Sequence, residues 1–344
     1  MGENGSAAGA SLQLNFECAD ARATLYATDE AALNECLDKP VVCVVGAFDG
    51  VHLGHRSLFE RGLTETRRRG GSCVVVMFNP DPAKVVSPSS EPSDLLGISA
   101  RRQIIQATTG ASVLVVDFTA RLAGLAYDDF VDSVLRKAFD LRCICVGTNF
   151  RLGAKGAGNV LALTRLGQDR GFDVAAVDLA VAGGLPVSAT RIRGLLCEGK
   201  VEAAAELLGR PHTVFGLVVH GRGEGSAFGF PTANIELGAV DCLPAQGVYA
   251  ALCVPLADGA RQAFPAAVNV GAPPTFSAAA AGSAFLEANL LGFSGDLYGS
   301  AVACLFMRWL RDSRPFGSLE ELRQTVLGNI DWVARTFGDQ GISL

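Results

Sequence analysis

The chain has 344 residues, 49% of them apolar and 19% charged, with a net charge of −6. That length allows two domains, each with its own core, and the mild acidity argues against a broad nucleic-acid-binding face, so an anionic ligand needs a local site. Ten cysteines without a CxxC pair read as small buried hydrophobes of a reducing cytoplasm, not as metal ligands or a disulfide framework.

The opening segment lacks the basic and apolar regions of a signal peptide and reads as a frayed terminus. It also fits the short myristoylation pattern Met1-Gly2-x-x-x-Ser6, without a basic cluster to support it. From residue 40 the pattern alternates. PVVCVVGAF is a buried strand, and RSLFERGLTETRRRG is a helix stopped by Gly70. SCVVVMF is a second strand, ISARRQIIQATTG a helix capped by Ser99, and ASVLVVDF a third strand. AYDDFVDSVLRKAF is helical, and RCICVG and FDVAAVDLAV complete five apolar strands. Such a series predicts a parallel sheet covered on both faces, with ligands beyond the carboxyl ends of its strands. Past Leu208, HTVFGLVVHG, GVYAALCV, QAFPAAVNVG, FLEANLLGF and AVACLFMRWL follow closely, separated by Gly- and Pro-containing turns. They predict an antiparallel barrel or sandwich. A last helix starts at Ser318, with Glu321 three positions on as a capping-box partner. The stretch from Gln262 to Leu286 is long enough to span a bilayer, but Pro265, Pro273 and Pro274 break it, so no membrane span is expected. Residues 277–284 read as a low-complexity loop.

The segment GAFDGVHLGH places two of the four histidines, His52 and His55, three apart where the first strand gives way to a helix. Gly46, Gly50 and Gly54 let the backbone approach a ligand, and the helix start offers free N–H groups to an anion. Two imidazoles there can stabilise phosphate charge that grows during transfer. A Walker A loop would need a lysine, which is absent here. GLLCEGKV (194–201) matches that motif superficially, but Val201 stands in the Ser/Thr position and the segment reads as a helix end. In VSATRIRGLL, Ser188 or Thr190 can cap a helix while Arg191 and Arg193 offer forked donors to phosphates.

The HLGH spacing resembles the signature of HxGH nucleotidyltransferases, and the wider run resembles the adenylyltransferase half of the bacterial bifunctional riboflavin kinase/FAD synthetases. The resemblance implies an ATP site with His52 and His55 as catalytic groups, lined by Gly46, Phe48, Asp49, Gly50 and Gly54. It makes Ser188, Thr190 and Arg193 the holders of the outer phosphates, with Ala189 replacing a serine of the family motif. NFRLGAKGAGN after the fourth strand resembles the loop facing flavin and nucleotide, with Asn149 and Phe150 at matching positions. Asp81 stands where the family's Phe-x-Pro-His-Pro segment carries histidine, and a carboxylate there would repel phosphate.

In GFPTANI, Pro231 fixes the backbone, and Thr232 and Asn234, two apart on an extended segment, face the same way. Their oxygens suit Mg²⁺ carrying ATP. With the blocks that follow, this resembles the riboflavin kinase domain over about 125 residues of sequence. The resemblance makes Glu287 the general base for the ribityl 5′-hydroxyl. It implies an ATP loop at Gly221, Arg222 and Gly229, and flavin contacts at Arg311 and Phe316. Glu224, Ser226 and Pro273 depart from the usual basic residues.

The expectation is therefore a Rossmann-like nucleotidyltransferase domain (13–197), a linker (198–212) and a β-barrel kinase domain with a C-terminal helix (213–340). The first would convert FMN to FAD with pyrophosphate release, and the second riboflavin to FMN. Both would use ATP and Mg²⁺ in the cytoplasm. The expected partners are small molecules, without nucleic acid or membrane, and a transient homo-oligomer is compatible with the sequence. Two rivals stand beside this reading: a nucleotidyltransferase with a phosphopantetheine- or phosphocholine-like acceptor, and a flavin-binding regulator with one silent half.

Overall fold

The computed structural model describes residues 9–17, 21–87, 93–220, 231–238, 242–256, 262–271 and 285–344. It divides into two units, Met1–Pro92 with Gly97–Ser188, and Ser93–Leu96 with Ala189–Leu344.

The first unit is built on one seven-stranded sheet. Its strands are β1 (Ser11–Phe16), β2 (Ala21–Tyr26), β3 (Pro40–Val45), β4 (Ser72–Asn79), β5 (Ser112–Asp117), β6 (Asp140–Gly147) and β7 (Asp173–Val177). They lie in the order β1-β2-β5-β4-β3-β6-β7. The five predicted strands form the parallel part, while β1 and β2 extend it as an antiparallel pair beside β5. Valines 41, 42 and 44 and Cys43 of β3 are fully buried, as a central strand covered on both faces requires. The chain lays down β3, β4 and β5 in one direction, then returns to place β6 on the other side of β3. That reversal puts the crevice between the carboxyl ends of β3 and β6, and both strands lead into predicted ligand loops. Because Val44 pairs with Cys145, the 46–52 turn and the 148–159 loop leave the sheet side by side.

Local sequence explains most helix boundaries. The helix Leu53–Arg69 ends at Gly70, which is left-handed at φ 61°, with three arginines in its last turn. The helix Ile98–Thr109 begins two residues earlier than a Ser99 cap implies. Gly97 is its N-cap, and Ser99 lies inside the first turn instead of capping it. The predicted helix after β5 contains a π-helical stretch, Val131–Leu135, between Tyr127–Phe130 and Arg136–Ala138. Beyond β7, a small exposed hairpin, β8 (Val181–Ala182) and β9 (Leu185–Pro186), leads to Ser188.

In the second unit, β10 (His212–Val219), β11 (Ala233–Leu237), β12 (Gly247–Pro255), β13 (Gln262–Gly271), β14 (Phe285–Leu290) and β15 (Ala301–Asp312) are all antiparallel. The β12–β13 pairing closes the ring into a six-stranded barrel, with short β16 (Ile342–Ser343) added on β13. The helix Leu319–Phe337 is capped by Ser318, whose hydroxyl accepts from the Glu321 N–H. Its Val333 packs on Ala250 of β12, with Ala267 of β13 beside them. The helix Ala189–Cys197 groups with this unit, where the Leu196 carbonyl accepts from Ala245 N–H at 2.8 Å. GLLCEGKV is the end of that helix and the start of Val201–Leu208, so it forms no phosphate loop.

Candidate functional site

In the first unit the turn after β3 is unusual backbone. Phe48 (φ 54°), Gly50 (φ 75°) and Val51 (φ 43°) are all left-handed, a region that a β-branched residue such as Val51 rarely enters. The turn ends at His52, whose extended backbone caps Leu53–Arg69. The His52 and His55 rings stack with centroids 3.6 Å apart and planes 18° from parallel. The His52 N–H donates to His55 Nδ1 at 3.3 Å. A neutral imidazole that accepts at Nδ1 carries its proton on Nε2, so His55 keeps a donor there. Phe48, itself buried, meets His55 edge-on at 5.3 Å. A Cβ on Gly54 would lie 3.1 Å from His52 Cε1 and 3.4 Å from the Val187 carbonyl. Glycine here lets the imidazole lie over the backbone and brings the segment before Ser188 against the histidine turn. Two imidazoles and a helix N-terminus at a sheet crevice can donate to anionic oxygens.

Asp49 is 4% exposed and pairs with Arg101, 2% exposed, at 3.1 Å. The same guanidinium donates to the Ala47 carbonyl at 2.8 Å. Sequence reasoning did not single out Arg101, although its place on the apolar face of ISARRQII, four residues before Ile105, was a readable signal. Asn149 is exposed after β6, while Phe150 is half-buried against the core and its N–H donates to the Gly147 carbonyl.

In the barrel, the Thr232 hydroxyl donates to Glu287 Oε1 at 2.6 Å, a length typical of charge-assisted bonds. Asn234 of β11 and Asn269 of β13 are the register partners of Glu287 on its two sides. Directly opposed residues share a face, so the three polar side chains form one row across three strands. The row continues through Val248, opposite Asn269, to Arg311, opposite Val248. At about 4.8 Å per strand, Arg311 stands about 14 Å from Glu287 along that face. Register shifts in the β12–β15 pairing follow directly, after Val248 and again after Ala250. The Arg311 guanidinium lies 5.6 Å from the Phe316 ring centre, and that of Arg314 lies 5.1 Å from it. Burial, then the neighbouring Arg314, lowers the basicity of Arg311. Sequence reasoning did not single out Asn269. Nor did it single out Asn289, which is buried and donates to the Pro231 carbonyl at 2.8 Å, fixing the entry of the PTAN segment.

The sequence profile of FAD synthetase matches residues 35–191, and that of riboflavin kinase matches 208–337. The bifunctional riboflavin kinase/FMN adenylyltransferase of Escherichia coli K12 is 32% identical over 294 residues, covering 86% of this chain and 92% of that protein. The chain belongs to the bifunctional riboflavin kinase/FMN adenylyltransferase family. Its Pseudomonas fluorescens member is 34% identical over 84% of this chain and 90% of its own length. A crystal structure described as a macrolide-efflux protein from Streptococcus pneumoniae superposes with a TM-score of 0.76 at 27% identity, covering 89% of this chain and 97% of that one. Among the described residues no helix is long and apolar enough to cross a membrane.

Within this family pattern, the departure at Asp81 has a local structural explanation. Its Oδ1 accepts from Ala83 N–H at 2.9 Å and caps the short helix Pro82–Val86. Ser188 directly precedes the helix Ala189–Cys197, and Thr190 is exposed in its first turn. Arg193, three residues further along, donates from Nε to the Ser93 carbonyl at 2.8 Å. Both Thr190 and Arg193 belong to the second unit. Gly221, Arg222, Glu224, Ser226, Gly229 and Pro273, and the 277–284 loop, lie outside the described residues. His220, just before that glycine segment, stacks on Tyr298 with ring centroids 3.7 Å apart.

Proposed function

We propose that the chain makes FAD in two ATP-dependent steps, phosphorylating riboflavin in the barrel and adenylylating FMN at the histidine turn. The observation that carries this reading is the presence of two chemically unlike sites in one chain. One is a paired-imidazole helix start, and the other a hydroxyl–carboxylate–carboxamide row.

In the kinase step, Glu287 takes the proton of the ribityl 5′-hydroxyl as that oxygen attacks the γ-phosphorus of ATP, and ADP leaves. The Thr232 bond holds the carboxylate plane and turns Oε2 to the substrate. Arg311 and Phe316 hold the isoalloxazine end, with Gly221, Arg222 and Gly229 over the ATP phosphates. The neutral hard oxygens of Thr232 and Asn234 beside a carboxylate fit Mg²⁺, which binds few protein oxygens and keeps the rest of its shell for phosphate and water. When bound, that ion neutralises phosphate charge.

In the adenylyl transfer, an FMN phosphate oxygen attacks the α-phosphorus and the bond to pyrophosphate breaks. The nucleophile is already anionic near neutral pH, so no strong base is required. His52, His55 and the first N–H groups of Leu53–Arg69 stabilise the charge that develops on the phosphoryl and leaving oxygens. Gly46, Phe48, Asp49, Gly50 and Gly54 shape the nucleotide turn, and Ser188, Thr190 and Arg193 hold the outer phosphates. Asn149 and Phe150 face the flavin nucleotide. The same reading has the enzyme work in the cytoplasm on riboflavin, FMN and ATP, without nucleic acid, and at most as a transient homo-oligomer.

The test is a chromatographic time course with riboflavin, ATP and Mg²⁺. Native chain should yield FMN and then FAD with pyrophosphate. His52→Ala should stop at FMN, and Glu287→Ala should form little FMN yet convert supplied FMN to FAD. A native chain that releases neither FAD nor pyrophosphate from FMN and ATP would remove the adenylyltransferase half. Flavin binding without ATP turnover would favour a regulatory protein instead.

A further inference from the structure

We infer that Arg101 is a positioning residue for adenylyl transfer: through Asp49 and Ala47 it holds the left-handed turn that sets His55 in place. The inference deepens the adenylyltransferase reading of this site and rests on it for its kinetic consequence, though not for its structural one.

Five contacts link Arg101 to the two imidazoles. The Arg101 guanidinium donates to Asp49 Oδ1 at 3.1 Å and to the Ala47 carbonyl at 2.8 Å, so one planar group holds both sides of Phe48. Both charged side chains are almost completely buried. A buried pair of this kind is weak evidence for stability, because desolvation offsets its attraction. Its effect is better sought in the conformation it selects. Phe48 between those two anchors adopts φ 54° and ψ 26°, and Val51 shortly after adopts φ 43°. Such non-glycine conformations persist only where surrounding contacts over-determine them. With its backbone held so, Phe48 directs its ring between Phe59, 5.0 Å away, and the edge of His55, 5.3 Å away. His55 in turn stacks on His52. The position of both imidazoles therefore depends on a guanidinium that lies about 50 residues along the chain, on a different helix.

Lysine cannot replace this function, because a single ammonium has no rigid fork to span two acceptors. Arg101→Lys keeps the buried charge and Asp49→Asn keeps the shape, so neither needs to unfold the unit. On the scale at which a displacement of about 1 Å costs about 10²-fold, both variants should lower kcat for FAD formation by about that factor. KM for ATP should stay nearly unchanged in Arg101→Lys. FMN formation by the barrel in the same chain serves as the internal control and should be unaffected.

A second readout does not depend on activity. The four histidines of the chain can be followed by their Cε1–H resonances in the ligand-free full-length protein. Arg101→Lys should move the His52 and His55 signals, which feel the stacked ring and Phe48, and leave His212 and His220 in place. Unmoved signals together with an unchanged kcat would overturn the inference. So would a rise in KM alone, since that would make the pair a nucleotide contact. A native chain that forms no FAD while Arg101→Lys still shifts those two resonances would refute the proposed activity and leave the positioning role standing. Four static resonances would refute the role in either case.

Discussion

Gly54→Ala separates stability from activity, and the structure gives the size of both effects. The added methyl would sit 3.1 Å from His52 Cε1, 3.2 Å from its Nδ1 and 3.4 Å from the Val187 carbonyl. Ordinary carbon contacts begin near 3.5 Å, so the imidazole must retreat by a few tenths of an ångström. It cannot retreat alone, because His55 is stacked on it at contact distance. If a 1 Å displacement costs about 10²-fold, a shift of about 0.4 Å costs roughly five- to tenfold in kcat for FAD formation. The backbone of Gly54 needs no left-handed conformation, and alanine in a helix is favoured over glycine by about 0.5–1 kcal/mol. The melting temperature should therefore hold or rise by about 1–3 °C while the adenylyl transfer slows. The assay is FAD formation from supplied FMN, with riboflavin phosphorylation and thermal unfolding measured on the same sample. Full adenylyl transfer in the variant would refute the claim that His52 must lie over the helix start. A lower melting temperature would mean that the Val187 carbonyl, not the imidazole, absorbs the methyl.

Two further outcomes follow from single contacts. Thr232→Val keeps shape but removes the donor to Glu287; charge-assisted bonds contribute about 1.5–3 kcal/mol, so FMN formation should slow by roughly 10- to 100-fold. Thr232→Ser should restore it, FAD formation from supplied FMN should not change, and a fully active Thr232→Val would exclude Thr232 as a holder of the base. His212 is buried against the Cys242 carbonyl at 2.7 Å, and desolvation lowers its pKa from 6.5 to about 4. The unfolded chain binds a proton below pH 6.5 that the folded state refuses, so this contribution is complete above pH 6.5 and is lost as the pH falls toward 4. By pH 5 the loss is about 2 kcal/mol, and His212→Gln, which cannot titrate, should flatten the pH dependence of unfolding.

Much of the α/β unit was legible because apolar strands and glycine-stopped helices announce themselves locally. PVVCVV has nothing to put in water, and Gly70 and Ser318 mark helix ends by the backbone chemistry they supply. β1 and β2 were passed over, although SLQLNF does alternate. Six residues of alternation at the end of a chain carry little weight until a partner strand is known. The histidine turn was legible in both residue type and spacing. Its support was only half legible: Arg101 stands on the apolar face of its helix, but its pairing with Asp49 of the turn is made by the fold and leaves no spacing to read. Asn269 was hidden for a related reason. A single polar residue in QAFPAAVNVG becomes meaningful only when register sets it beside Glu287, and register belongs to pairing between strands rather than to either strand alone.

The two proposed sites differ because their nucleophiles differ. A ribityl hydroxyl holds its proton tightly, so the barrel needs an acceptor, and Glu287 is held for that purpose by a hydroxyl 2.6 Å away. An FMN phosphate arrives already anionic, and a carboxylate facing it would only repel it. The turn that would meet this phosphate accordingly presents imidazoles and backbone N–H groups. The acid within it, Asp49, is buried and paired with Arg101. The Asp81 carboxylate is likewise taken up by the Ala83 N–H at a helix start. These two carboxylates are thus each bound to a donor of their own chain. An exposed, unpaired acid would be as harmful there as it is necessary in the barrel, so the same residue type is neutralised in one unit and presented in the other.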